Sequence, residues 1–528
     1  MAQYDFIVVG AGSAGCAVAE GLSRSGKYSV LLVEAGKQDR NLWIKVPIGY
    51  AFNFQNKKLN WNYHTEPDDG LHGRSIYWPR GRVIGGSSSI NAMAYMRGLP
   101  VDYDGWAQSG ATGWAWSDVE PAFAKMEKRI AEHTDNPVCV SDLSDQMNPF
   151  SKTFLTAATH MGWPIDDDPS PLTCEGIGFY QSTVKNGFRF SAADAFLRPA
   201  LKRSNVSCVA NAIVERVVIS NGRAKGIEYR VGAQTFRARA NSEIVLCAGA
   251  VNSPKLLMLS GVGPADQIKD KGIKLIHDQP NVGQNLQDHL AINYQFRAKS
   301  PTLNNILGQI APRVFEAAKY VVRRNGALSV PVNQVGGYVK SDQSLDWPDM
   351  QIYCNPMSYS IGPNGKLKVD GQPGYLLSAQ QCRPQSRGQI RLVSSDPNTA
   401  PKILPHSLSS DADQTAAIKA VSIIRKIADV RPLRDVTTAP IDRLPETDAQ
   451  ALDDFRKRAS TVFHPTSTCR MGTDPRTSVI DPRCRVHGVR GLRVIDASVF
   501  PSVTSGNTNG PTMMVAMRAT EMMLADQI

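Results

Sequence analysis

The 528-residue sequence has no apolar run approaching the roughly 20 residues needed to cross a bilayer. Met1 is followed almost at once by a strand-like segment, which leaves no room for a basic start, an apolar centre and a cleavage site, so a cytoplasmic protein is the expectation. The nine cysteines form no C-x-x-C pair, and their odd number speaks against a complete disulfide framework; they read as reduced thiols. The net charge of +11 comes without any block of Lys and Arg interleaved with aromatics. A nucleic-acid interface is therefore not expected, and the basic residues read as a solvated surface. Peripheral contact with an anionic membrane surface, or a preference for an anionic small molecule, stays open. No metal site is read: His289, which follows Asp288, has no second ligand at metal spacing and is assigned a structural place.

Hydrophobic residues make up 42% of the chain and charged residues 20%, with a mean hydropathy of -0.26, the balance of a soluble globular protein. The length exceeds a single ordinary core, so two domains or a domain with a large insertion are expected. The organising segment is the N-terminus. Residues 6–9 are apolar and β-branched enough for a buried parallel strand, and Gly10-Ala11-Gly12-Ser13-Ala14-Gly15 then opens an Ala-rich helical stretch. Gly10 permits the tight turn, Gly12 lets a pyrophosphate approach the backbone, and Gly15 lets the helix pack closely on the strand. A second apolar strand over residues 30–33 ends in Glu34 and Ala35, about twenty residues beyond the last glycine, where a carboxylate can accept both hydroxyls of an adenosine ribose.

Further on, Arg80-Gly81-Arg82-Val83-Ile84-Gly85-Gly86-Ser87-Ser88-Ser89 is a loop rich in backbone donors and short hydroxyls. Residues 90–95 have the composition to start a helix after it. The loop suits a second contact along a bound dinucleotide, and on physics alone a Gly/Ser linker is an equal alternative. Here the sequence resembles the glucose-methanol-choline (GMC) family of FAD-dependent alcohol oxidoreductases, and within it the branch of bacterial choline dehydrogenases, sorbose dehydrogenases and hydroxymethylfurfural oxidases. Residues 81–104 follow the family's first signature, residues 249–264 follow its second, and recognisable segments run from Tyr4 to the C-terminus.

The resemblance implies FAD rather than NAD, and an α/β (overall α+β) chain with a Rossmann-like FAD-binding domain and a discontinuous substrate domain, an antiparallel sheet covered by helices. The expected division is residues 1–150, 201–285 and 456–528 for FAD, with 151–200 and 286–455 for substrate. The residues themselves agree: two strand-like runs around Ser220-Asn221-Gly222 make a hairpin, and residues 243–250 read as a buried strand returning to the nucleotide-binding sheet. By resemblance, cofactor contacts fall at Gly10, Gly12, Ser13, Ala14, Gly15, Glu34, Ala35, Trp61, Arg80, Val83, Gly86, Ser87, Asn91, Ala92, Met93, Ala94, Val214, Ala248, Asp496, Ala497, Thr508, Asn509, Pro511 and Thr512. Where family members carry a His-Gly and Gly-Pro-Leu segment covering the flavin, residues 128–142 depart, so access to the site is expected to differ.

Near the C-terminus, Phe463-His464-Pro465 holds a histidine on a loop, because proline forces an extended or turn conformation on the residue before it. The run Thr504-Ser505-Gly506-Asn507-Thr508-Asn509-Gly510-Pro511-Thr512 has the composition of a helix N-cap with proline in the first turn. In GMC enzymes the His-Pro histidine is the main acid/base group, and the resemblance puts its partner at Asn509. No histidine lies within residues 78–94, so FAD is expected to be non-covalent.

The expected reaction is oxidation of a primary alcohol to the aldehyde, His464 acting as base, Phe463 meeting substrate, and electrons passing to oxygen or a quinone-type acceptor. A ring-alcohol oxidase of the pyridoxine type, a GMC lyase, and a flavin-binding module without catalysis are the alternatives. Choline-oxidising members carry a glutamate where Gln334 stands, so loss of that charge is expected to favour neutral or anionic alcohols over choline.

Overall fold

The structure is a computed structural model that describes residues 2–129, 135–166, 168, 175–361 and 367–527. Strand β1 (Ala2–Val9), helix α1 (Ser13–Ser23) and strand β2 (Val30–Val33) form the expected unit. Residues 6–9 pair in parallel with residues 30–33, and β1 also pairs in parallel with the long strand Gln234–Leu246. The order across this sheet is Val206–Val209, Val30–Val33, Ala2–Val9, Gln234–Leu246, Arg223–Val231, Ala212–Ser220. Its last two strands are the hairpin around Asn221 and Gly222, both at positive φ. Leu492–Val494 joins the C-terminal half of Gln234–Leu246 in parallel, so the end of the chain returns to the sheet with which it began.

A second sheet is antiparallel, in the order Thr437–Pro440, Leu290–Ala298, Gly374–Gln381, Met350–Asn355, Val335–Val339, Gly176–Phe179. The helix Asp411–Asp429, with Ala416, Ala417, Ala420, Val421, Ile423, Ile424 and Ile427 buried, packs against Gly374–Gln381. The short strand Ser460–Thr461 adds to Leu290–Ala298 with Leu290 opposite Thr461. That pairing lays the chain after Thr461 beside His289, and it decides the geometry of the site.

The last helix, Asn509–Ala525, packs along α1, and Gly21 is needed there: a Cβ on it would lie 2.7 Å from the Thr520 methyl. Residues 90–95 do not start a helix. A short 3-10 turn, Gly86–Ser89, is followed by irregular chain in which Met93 has φ of 63°, and the next helix is Pro100–Gln108. Of the departing stretch 128–142, residues 130–134 lie outside the described residues; Val138–Val140 pairs with Glu127–Arg129, away from the main cavity. The eight described cysteines are free thiols.

Candidate active site and dinucleotide cradle

A cavity of about 2000 Å³ runs from the edge of the first sheet to the face of the second. An ordinary small-ligand pocket is roughly 300–1,000 Å³, so this one has room for a large cofactor and a substrate together. At one end it is lined by Gly10, Gly12, Ser13, Ala14, Glu34, Ala35, Gly86, Ser87, Val214 and Ala248. Gly12 caps α1 with no side-chain hydrogen bond, so the first N–H groups of the helix are free for an anion. A Cβ on Gly86 would fall 2.6 Å from the Cα of Gly12, so the two loops approach as only glycines allow. Glu34 is buried, accepts from the N–H groups of Ala11 (2.8 Å) and Gly36 (2.7 Å), and burial raises its carboxyl pKa to about 7. Asp496 is also buried and braces the neighbouring turn, accepting from Gly249 N–H at 2.8 Å and Ser498 N–H at 2.8 Å.

Three residues expected to contact the cofactor stand behind this lining. Val83 packs in a small core with Ile44, Leu59 and Ile90. Gly15 faces the strand turn, where a Cβ would meet the Gly10 carbonyl oxygen at 1.8 Å, and Pro511 is buried in the last helix. That helix starts without a side-chain cap despite its Asn/Thr run: Thr512 Oγ1 donates back to Thr508 O, and both residues line the cavity. Trp61, Arg80, Asn91, Ala92, Met93, Ala94, Ala497 and Asn509 also line it.

At the other end stands His464. Its backbone N–H donates to Asp288 Oδ1 at 2.7 Å, the same carboxylate takes the His289 N–H at 2.9 Å, and the Arg80 guanidinium donates to Phe463 O at 2.7 Å. Phe463 is held at φ of 70°, a strained conformation for an aromatic residue that costs of order 1–3 kcal/mol, and its ring packs on Phe54 at 5.2 Å.

The imidazole of His464 lies between two side chains. His289 Nε2 is 2.8 Å from the carbonyl of Cys382, which can only accept, so Nε2 carries the proton. Burial lowers the His289 pKa to about 4, which leaves the ring neutral and its Nδ1 bare. That Nδ1 lies 3.0 Å from Nδ1 of His464, which must therefore be the N–H donor. His464 is left with a bare Nε2, and Asn507 Nδ2 lies 3.1 Å from it. Burial, with His289 and Arg80 nearby, pushes the His464 pKa well below its usual value, so the ring stays neutral.

Two expected placements are corrected here. Asn507, not Asn509, meets the imidazole; the Oδ1 of Asn509 instead accepts from Ser13 Oγ at 2.7 Å and ties the first turn of the last helix to the first turn of α1. Gln334 is fully buried outside the cavity, with Oε1 accepting from Asn148 N–H at 2.8 Å and Ser151 Oγ at 3.1 Å. Its neighbours Val332 and Asn333 line the cavity. His289 does have a structural place, but that place is against His464.

The residues fit FAD: a turn and a helix start open to a pyrophosphate, a buried carboxylate at the end of the second strand, and an Asn507 Oδ1 that has no partner among the described residues. A nucleotide-binding sheet with a parallel core, a cavity spanning two sheets and a neutral buried histidine fit a flavin-dependent oxidoreductase. Residues 4–291 and 384–516 each match the GMC oxidoreductase family, and the chain belongs to that family. It is 40% identical to an alcohol dehydrogenase (acceptor) of Pseudomonas putida, covering 99% of this chain and 96% of the other. It is 38% identical to an oxygen-dependent choline dehydrogenase of Photobacterium profundum, covering 99% and 93%. Pyridoxine 4-oxidase from Mesorbium loti superposes with a TM-score of 0.88 at 28% identity, over 98% of both chains.

Proposed function

We propose that this enzyme oxidises primary alcohols to aldehydes with non-covalently held FAD, passing the electrons to oxygen or a quinone-type acceptor. The observation that carries this reading is the hydrogen-bond chain from the Cys382 carbonyl through His289 to His464, which leaves the Nε2 of His464 bare beside the Asn507 amide at the cavity. Nε2 takes the proton of the substrate hydroxyl, and Asn507 Nδ2 donates to the alcohol oxygen and holds it in place. FAD, when bound, supplies the hydride acceptor for the carbon-bound hydrogen. Glu34 would take the ribose hydroxyls, Val214 the adenine, Gly12 to Ala14 with Gly86 and Ser87 the pyrophosphate, and Asn91 to Ala94 with Thr508 to Thr512 the ring system.

The substrate end is lined by Tyr50, Phe54, Tyr353, Met357, Tyr359 and Phe463, and among the described residues the carboxylates lining the cavity are Glu34 and Asp496, both at the cofactor end. Neutral aromatic or aliphatic alcohols suit that lining, and a quaternary cation would lose its hydration without a counter-ion. The likeness to pyridoxine 4-oxidase favours a ring-bearing alcohol as the second, narrower reading. The test is anaerobic mixing of the FAD enzyme with a panel of benzylic, furanic and aliphatic primary alcohols. Bleaching of the flavin with formation of the aldehyde supports the proposal; turnover that leaves the flavin oxidised indicates a lyase, and no reduction by any alcohol indicates a non-catalytic flavoprotein.

A further inference from the structure

The helix Ile310–Arg323 presents an apolar face to solvent. Ile310 is 74% exposed, Val314 62%, Phe315 70%, Val321 63% and Val322 80%. At 3.6 residues per turn these five, with the exposed Ala311 and Ala318 between them, occupy one continuous arc of about 140°. The opposite face anchors the helix: Tyr320 is buried with its hydroxyl donating to Gly187 O at 2.9 Å, and Glu316 Oε2 accepts from Ala327 N–H at 3.2 Å. Among the described residues the arc is therefore a built surface without a partner. Basic side chains border it, Arg313 on one side, Lys319 and Arg323 on the other, Arg324 at the end; the helix's one acid, Glu316, lies on the anchored face, paired with Lys319 at 3.6 Å.

The cavity meets this surface. Arg313 and Ala317 line it, and so do Trp43 and Phe52, which are 41% and 59% exposed and whose rings pack at 4.6 Å. Leu42, beside Trp43, is 68% exposed. Apolar residues and an indole around one opening, bordered by Arg and Lys, match a helix lying in the plane of a lipid headgroup layer. A second copy of the chain suits this face less well, since a two-fold interface would bring the same basic borders together.

We infer that this helix and the Trp43–Phe52 rim dock on an anionic bilayer surface and turn the cavity opening toward the lipid. Apolar alcohols and quinone-type acceptors, which partition into bilayers, would then reach the site without crossing bulk water.

The FAD-loaded enzyme is floated with vesicles of phosphatidylcholine containing phosphatidylglycerol and with vesicles of phosphatidylcholine alone. Binding is expected to the anionic vesicles, weakening as salt rises. Phe315→Glu and, independently, Val322→Glu should reduce the bound fraction to background, while Arg323→Gln weakens binding about fivefold. Flavin content and circular dichroism confirm that each variant is folded, and reduction of the flavin by a water-soluble alcohol should be unchanged in both Glu variants. Failure of the wild-type enzyme to float with anionic vesicles would overturn the proposal. So would a dimer in solution that Phe315→Glu converts to monomer, because the occupant would then be a second copy.

Discussion

His289 and His464 meet through their Nδ1 atoms at 3.0 Å with their rings perpendicular, and the proton between them belongs to His464. The Cys382 carbonyl fixes this assignment from behind, so the bare nitrogen of His464 is the one on the side of Asn507.

His289→Leu should therefore slow flavin reduction, because the His464 ring loses the acceptor that selects its tautomer. His289→Gln, which can still present an acceptor oxygen, should retain more of the rate. Both variants should keep their FAD and their KM. Equal loss in the two, or loss of FAD, would reduce His289 to a packing residue.

Asn507→Ala removes the donor beside His464 Nε2, a hydrogen bond worth roughly 1–3 kcal/mol, and should lower the rate of reduction by about 5- to 150-fold. Asn509→Ala breaks the contact with Ser13 and should act on FAD affinity and stability instead. Measuring reduction rate and FAD Kd for both variants separates the roles; the reverse pattern would restore Asn509 to the chemistry.

That distinction was beyond the sequence for a physical reason. Asn507 and Asn509 are two residues apart, and which one faces the histidine depends on where the last helix begins. Asn509 is its first residue and points back to α1, while Asn507 lies in the preceding loop. Gln334 fails for a different reason: its side-chain oxygen is taken by Asn148 N–H and Ser151 Oγ, contacts more than 180 residues away in sequence, while its neighbours Val332 and Asn333 line the cavity. The β1–α1–β2 unit was legible because the three glycines and Glu34 each do local work. The His289–His464 contact was not, since it comes from pairing Leu290 with Thr461 across 171 positions of sequence (461 − 290).

The pH dependence follows from the neutral imidazole. A base whose pKa is lowered remains unprotonated as pH falls, so kcat/KM should stay level from pH 8 through 6.5 and decline only in more acidic buffer. An acid limb centred at or above pH 7 would contradict the assignment. Glu34 moves the other way: its pKa is raised to about 7 by burial, so the ionised carboxylate that best accepts ribose hydroxyls is lost as pH falls through 7. FAD affinity should weaken over that range in the wild type and be flat in Glu34→Gln, as titration of apoenzyme with FAD would reveal.

Choline should be a poorer substrate than neutral alcohols such as benzyl alcohol, because among the described residues no carboxylate lines the substrate end of the cavity. Comparison of kcat/KM is the check; a preference for choline would mean that the aromatic lining alone holds the cation.

The most direct measurement is the rate of anaerobic flavin reduction by a good primary alcohol in the wild type and in His464→Ala, both saturated with FAD. The account predicts a fall of about 10²–10⁴-fold with the spectrum of the oxidised flavin unchanged before mixing. Reduction at a similar rate in the two proteins would contradict it.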